Sequence, residues 1–310
     1  MAVTTDAFVA ADLAAMIPEV WTPIVLEQLF AKTCAANFFT DLSMYATQGG
    51  DIFHVPDVYT NAFTVNTQST QGAEVTTAGP AQVDVTLTID THKYIAHIIG
   101  DKDAQQLSSM YDFNGIYARK TGSQLADELE DSIFNLWSGL STNSVGDTAT
   151  VLTDLEIRQS IEKLATANFD LGECGWFIHP YVYWTQVLAI QKYYDASMIG
   201  LTGSGNGLTK SGNFGEMNKE RGLQGSLYGI PIYVSSNVVS GLLTYRNLLA
   251  HKSAFGFALQ TPGGSKVRVQ AKNRMENLGF LTVTDILYGV VELRDAAAVV
   301  VNASTTATTA

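Results

Sequence analysis

The sequence predicts an α+β fold, and three observations predict it. Residues 83–89 alternate strictly, Val83, Val85, Leu87 and Ile89 against Asp84, Thr86 and Thr88, the period of a half-buried strand. Residues 112–140 carry Ile116, Leu125, Leu129, Ile133, Leu136, Trp137 and Leu140 at helical spacing. The last third holds three strand-like segments in fixed order, at 227–238, 248–260 and 285–302.

The elements follow from the N-terminus. Residues 1–10 carry no pattern and are expected to be mobile. Residues 11–32 read as an amphipathic helix bearing Leu13, Ile17, Val20, Trp21, Ile24, Val25, Leu26 and Leu29. Pro18 and Pro23 divide it into two short pieces. After Gly49-Gly50, residues 51–56 form a short strand, and a stretch rich in Thr, Asn, Gln and Gly leads to Pro80. The alternating strand at 83–89 is expected to continue through Tyr94, Ala96 and Ile98. Residues 51–99 therefore read as two long antiparallel strands with a polar tip. Such an arm is marginal alone and needs a surface to lie on, which a neighbouring subunit would supply. From Thr33 through His92 the chain has no Lys or Arg but six carboxylates: Asp41, Asp51, Asp57, Glu74, Asp84 and Asp90.

Asp112 is the expected N-cap of the long helix, which at ~1.5 Å per residue would run about 40 Å. Asp127, Glu128, Glu130 and Asp131 lie largely off its apolar stripe. Gly139 and the polar stretch 141–149 end it. Thr153 with Glu156 spells a capping box that opens a helix through about Ala167. Residues 175–179 read as a buried strand. Pro180 then starts a helix carrying Tyr181, Trp184, Val187, Leu188 and Ile190. Residues 200–225 are dense in glycine and predict a flexible loop. The Ser/Thr/Ala tail from Ser304 predicts disorder.

Composition narrows the class. A chain of 310 residues makes one large domain or two intimately packed ones. Charged residues are 15%, against about a quarter in most globular proteins, which points to surface buried against other subunits. Net charge is −12 and no basic run exists, so the chain is unsuited to gripping duplex DNA. If it encloses DNA at all, it does so as a container and not as a sequence reader. Cys34 and Cys174 read as two buried thiols in a reducing compartment. The first residues lack a secretory pattern, and no apolar run is long enough to span a membrane.

Catalytic motifs are absent or fail in detail. Residues 203–211 look like a phosphate loop, but Leu208-Thr209 stand where a glycine must directly precede Lys-Ser. His54, His92, His97, His179 and His251 form no zinc spacing. No Gly-x-Ser-x-Gly elbow occurs. Cys174, just before an apolar strand, reads as buried rather than nucleophilic.

The closing segments are Leu227-Tyr-Gly-Ile-Pro-Ile-Tyr-Val-Ser-Ser-Asn-Val238, Leu248-Leu-Ala-His-Lys-Ser-Ala-Phe-Gly-Phe-Ala-Leu-Gln260 and Asp285-Ile-Leu-Tyr-Gly-Val-Val-Glu-Leu-Arg-Asp295 running into Ala298-Val-Val-Val-Asn302. Their order, with the elements before them, resembles major capsid proteins of tailed double-stranded DNA bacteriophages, of HK97-like fold. The resemblance implies an N-arm at 1–48, an extended β-hairpin E-loop with its base at 49–99, and a peripheral domain at 100–169 and 263–303 built on a long spine helix. It implies an axial domain at 170–262 and a disordered tail at 304–310.

The implied function is structural: self-assembly into the hexamers and pentamers of an icosahedral head around double-stranded DNA. The expected location is the virion capsid, with synthesis and assembly in the host cytoplasm. No enzymatic activity, cofactor or metal is expected. The expected partners are further copies of the chain, a portal, a cement protein and a separate scaffolding protein, since no long segment precedes the hairpin. The candidate E-loop has no lysine, so lysine-mediated cross-linking is not expected. Trp21, Phe53, Phe63 and Val65 are the candidate apolar interface anchors, and Glu74 and Asp84 the acidic ones. The alternatives are an encapsulin-type nanocompartment shell, a soluble α+β enzyme with an unrecognised site, and a β-rich surface or adhesion protein, which the missing export signal disfavours.

Overall fold

The computed structural model describes residues 33–46, 50–57, 67, 71, 72, 74, 83–100, 113–140, 143–148, 150–190, 208–209, 223–241, 243–260, 267–274, 276 and 278–305. The expected helix at 11–32, with Trp21, lies outside them, as do Phe63 and Val65, most of the glycine-dense stretch and the expected cap Asp112.

The N-terminal described elements are short: α1 (Ala35–Phe38), β1 (Thr40–Asp41) and α2 (Ser43–Ala46). The hairpin strands β2 (Ile52–Asp57) and β3 (Val83–Thr88) pair antiparallel, Ile52 opposite Thr88 and Pro56 opposite Asp84. The alternation in β3 holds: Leu87 is buried while Asp84, Thr86 and Thr88 face water. The strand does not continue as one arm. It breaks at Ile89-Asp90, where the Ile89 N–H donates to the Asp51 carbonyl at 2.8 Å. The next strand, β4 (Thr91–Gly100), leaves the hairpin and joins a five-stranded sheet.

The long helix α3 (Phe113–Asn135) is followed by a 3-10 turn, Leu136–Gly139. Leu125, Leu129, Ile133, Trp137 and Leu140 are buried as the stripe predicts. Glu130 departs from expectation. It is 3% exposed, in line with Ala126 and Phe134 one turn away on each side, which are also buried, and covered by Cys34 and Ala35. A short strand, β5 (Ser144–Val145), precedes α4 (Asp154–Thr166), whose capping box forms as spelled. Thr153 Oγ1 lies 2.9 Å from Glu156 Oε2, and the Thr153 N–H donates to the same carboxylate at 2.5 Å.

Strand β6 (Cys174–Ile178) is buried at every position. The expected helix after Pro180 is only a turn, α5 (Pro180–Val182), widening into a π turn at Tyr183–Val187. Strands β7 (Leu208–Thr209), β8 (Leu223–Leu227), β9 (Ile230–Val234), β10 (Thr244–His251), β11 (Phe255–Gln260), β12 (Arg268–Arg274), β13 (Gly279–Glu292) and β14 (Ala298–Ser304) complete the order.

Each of the three closing segments proves to be two elements. At 227–238 the chain turns at Tyr228-Gly229, both at positive φ (54° and 84°), so β8 and β9 form a hairpin. At 248–260 a turn at Lys252-Ser253 sends β10 into one sheet and β11 into the other. At 285–302 a 3-10 turn at Asp295–Ala297 separates β13 from β14, again across sheets. The sheets therefore do not divide at residue 262. The seven-stranded sheet runs β5-β14-β10-β6-β9-β8-β7, taking strands from either side of that position. In the five-stranded sheet, β13 is central. It pairs with β11 and β12 along one edge and with β4 along the other, while β1 adds to β11. The tail is ordered further than its composition predicts: Ser304 is buried, and its N–H donates to the Thr150 carbonyl. Residues 306–310 lie outside the described residues.

Period two explains how the seven-stranded sheet serves two cores. Phe177, Leu248, Ala250, Ala298 and Val300 face a core shared with α3 and the five-stranded sheet. Trp176, Ile178, Leu249, Val299 and Val301 face a second core closed by Ile157 and Leu164 of α4. The shared core centres on aromatics. Phe177 stacks on Phe39 and Tyr233, each at 5.3 Å, and Phe39 meets Phe255 edge-on at 5.1 Å. The two crossovers between sheets also bond each other: the Ala254 carbonyl accepts from the Leu293 N–H at 2.8 Å and the Arg294 N–H at 3.1 Å.

Candidate functional site

The hairpin root is where the fold makes an exposed feature out of a buried one. Phe53 and Leu87 pair across the strands on the inner face, and Val55 with Val85. They rest on a small core of Ala46, Leu87, Ile89 and Ala258, joined by Leu42, Phe53, Leu287 and Val291. Phe53, half-buried, packs against this core of its own chain. The approach is tight. A Cβ at Gly289 of β13 would stand 2.2 Å from the Thr88 carbonyl oxygen. Only glycine lets the hairpin cross β13 there.

The outer face carries Ile52, His54, Asp84, Thr86 and Thr88, all exposed. His54 pairs with Asp84 through Nδ1. Asp84 therefore sits on the exposed face, and Glu74 is exposed as well. Trp21, Phe63 and Val65 lie outside the described residues.

Beside the root, the face of the five-stranded sheet away from α3 is held by a cross-strand staple. Asp285 of β13 is 2% exposed. Its oxygens accept from Arg268 Nε at 2.9 Å and Nη2 at 2.6 Å, and His92 Nε2 lies 2.8 Å away. Burial alone would raise this carboxyl, but the Arg268 guanidinium and then His92 outweigh it and hold it below the usual range. Tyr94 at 67% exposure lies beside it, opposite Asp285 in the register, and Lys272 and Arg274 project from β12. Sequence reasoning missed this staple and Gly289. An isolated glycine inside a strand pattern, Tyr288-Gly289-Val290, was the available signal for the second.

One serine, one histidine and one glutamate come together at the turn between β10 and β11. Ser253 Oγ lies 2.8 Å from His251 Nδ1, and His251 Nε2 lies 3.2 Å from Glu173. The Ser253 N–H donates to the same Nδ1 at 3.2 Å, and Lys252 N–H bonds the Glu173 carbonyl. The trio ties down the turn between β10 and β11. None of the three residues lines the cleft formed by Asn143, Ser144, Glu162, Lys163 and Asp295. Burial also holds His251 below its ordinary range, although Glu173 pulls it up. Among the described residues no group of three or more His, Cys, Asp and Glu converges as a metal site. Cys34 and Cys174 are both free and buried, and burial raises both thiols. Among the described residues no helix is long and apolar enough to cross a membrane.

No family model and no curated protein matches the sequence. Solved structures do match its fold. A structure of Mycobacterium phage Che8 aligns at TM-score 0.62 and 19% identity, over 87% of this chain and 90% of that one. The capsid of Ralstonia phage GP4 aligns at TM-score 0.64 and 11% identity, over 88% of each chain. The fold is that of HK97-type capsid subunits. A virus-like particle from Pyrococcus furiosus shares it at TM-score 0.52 and 14% identity, over 92% of this chain and 99% of that one. In HK97-type terms β2 and β3 are the root of the extended hairpin, and α3 is the long spine helix.

Proposed function

We propose that this chain is a structural shell subunit, the major capsid protein of a tailed double-stranded DNA bacteriophage. The observation that carries the reading is the HK97-type fold over nearly nine-tenths of the chain, in company with phage capsid structures. The hairpin root supports it. One hairpin face is fixed on its own sheet by Gly289, and the other, bearing Ile52, His54 and Asp84, is left outward. Copies assemble as hexamers and pentamers of an icosahedral head. The five-stranded sheet with α3 acts as the peripheral domain and the seven-stranded sheet with α4 as the axial domain. Trp21, Phe53, Phe63, Val65, Glu74 and Asp84 contact neighbouring copies. A separate scaffolding protein, a portal and a cement protein complete the head in the host cytoplasm, and DNA is enclosed without sequence-specific contact. The shell holds by buried area, without lysine cross-links from the hairpin.

A second reading, an encapsulin-type nanocompartment, is favoured by the full-length match to the Pyrococcus furiosus virus-like particle. One experiment separates the readings. The full chain is expressed alone and with its genomic neighbours, then examined by electron microscopy and size-exclusion chromatography. Shells that need a scaffolding protein and take up DNA through a portal support the capsid. Shells that form from the chain alone and capture a cargo peptide support the nanocompartment. A monomer of about 33 kDa under every condition sinks both.

A further inference from the structure

Residues 1–32 join the described fold at Thr33, and the fold grips that junction from inside. Cys34 and Ala35 open α1, and Glu130 reaches across to them from α3. Its Oε1 accepts from the Ala35 N–H at 2.6 Å, and Cys34 Sγ lies 3.4 Å from Oε2. All three residues are buried. The Asn37 side-chain amide bonds the Thr33 carbonyl and closes the turn. One turn on, Phe38 and Phe39 enter the aromatic hub that touches both sheets. A four-residue helix has almost no stability of its own, so its position depends on what satisfies its first donors. Here the Ala35 N–H goes to a carboxyl group on another helix.

We propose that Glu130 is a proton-controlled latch that fixes the root of the N-terminal segment to the long helix. The groups that act on it are few. Cys34 faces it from α1 and Asp127 from its own helix, and on the strand side the Ser235 hydroxyl bonds the Cys34 thiol. Among the described residues no Lys, Arg or His acts on it. Neutral Glu130 can accept from Ala35 through Oε1 and donate its proton to Cys34 Sγ. Ionised Glu130 accepts from both, since a thiol can act either way. The contacts survive either state, but the ionised state places an uncompensated charge in the core. Burial accordingly pushes Glu130 up to about 7, with the Ala35 and Cys34 bonds pulling it partly back. When the root undocks, the carboxyl returns to water and to its ordinary value. A carboxyl raised in the docked state stabilises docking fully below its ordinary value. That contribution falls as pH rises toward about 7 and is flat above it.

The test is hydrogen exchange of residues 33–39 in the full chain, wild type and Glu130→Gln, in one assembly state. Rates are corrected for the pH dependence of intrinsic exchange. Between about pH 5 and about pH 7.5 the wild-type opening constant rises on the order of a hundredfold. Amides of β6 in the same molecules serve as the internal reference and change far less. Glu130→Gln keeps an acceptor for Ala35 but cannot ionise, so its opening constant stays flat. The proposal is overturned by a flat wild-type profile, by the same rise in Glu130→Gln, or by a parallel rise in β6. The wild-type profile alone decides the matter if the variant does not fold.

Discussion

Replacing Gly289 by alanine tests the hairpin root most directly. The added Cβ would lie 2.2 Å from the Thr88 carbonyl oxygen, 2.9 Å from its carbon and 3.1 Å from Ile89 Cα. Comfortable contacts with carbon start near 3.5 Å, so the shortfall is roughly 1 Å. The obstructing atoms are backbone and cannot rotate away. The same stretch is pinned by the Ile89 N–H bond to Asp51 and by the pairing of Thr88 with Ile52. The hairpin must lift, which opens the small core around Leu87 and Ala258. Overpacking in a closed site costs about 1–3 kcal/mol, and the loss of the Leu87 seat puts this case at the upper end. Denaturant unfolding of the unassembled chain measures it, with Gly241→Ala as control. Among the described residues a Cβ at Gly241 meets the Thr244 carbonyl, at an ordinary 3.5 Å. A Gly289→Ala protein within about 0.5 kcal/mol of wild type, on the scale of ordinary surface changes, would mean that the hairpin does not rest on β13.

Asp285→Asn leaves Arg268 without its carboxylate and costs about 2 kcal/mol, a figure held down because Arg268 and His92 are partly exposed. The Asp285 carboxyl is held low in the fold, so its contribution is present above about pH 4, the ordinary value, and is lost as pH falls through the folded one. Acid titration of stability should show this step in wild type and not in Asp285→Asn. Thr153→Ala removes the hydroxyl of the capping box and lowers the melting stability by about 1 kcal/mol, with Thr153→Ser retaining most of it. Denaturing gels of mature particles should show single chains, since residues 33–92 carry no lysine; a covalent ladder would refute the unlinked shell.

What the sequence discloses depends on the range of the interaction. Strand β3, the wholly buried β6, the stripe on α3 and the Thr153 box are each set by neighbours within a few residues, and each is legible. Sheet membership is not. The run Leu248–Gln260 is apolar on both sides of Lys252-Ser253, and nothing local says that Leu248 will pair with Phe177 while Phe255 pairs with Glu292. Glu130 lies between the two cases. It sits among Asp127, Glu128 and Asp131 and looks like part of a solvated face. Yet Ala126, Glu130 and Phe134 form one line along the helix, and two of those three are apolar. The line identifies a boundary position; only the arrival of Cys34 and Ala35 from 95 residues away makes it a buried one.

The hairpin root and the N-terminal root share a design that suits a subunit whose partners are copies of itself. In each, a segment that extends beyond the described core is fixed at its base by a contact that tolerates little change: bare backbone at Gly289, a carboxyl at Glu130. Fixing the base sets the direction in which the segment leaves, and direction is what repeated identical contacts require. The two bases are not equivalent, however. The Gly289 contact is steric and the same at every pH. The Glu130 contact carries a proton. If an assembled shell of this chain changes with pH near neutrality, the change should therefore begin at residues 33–39, while the root at Thr88 and Gly289 stays as it is. Hydrogen exchange that found the β3 amides loosening before those of α1 would contradict this division.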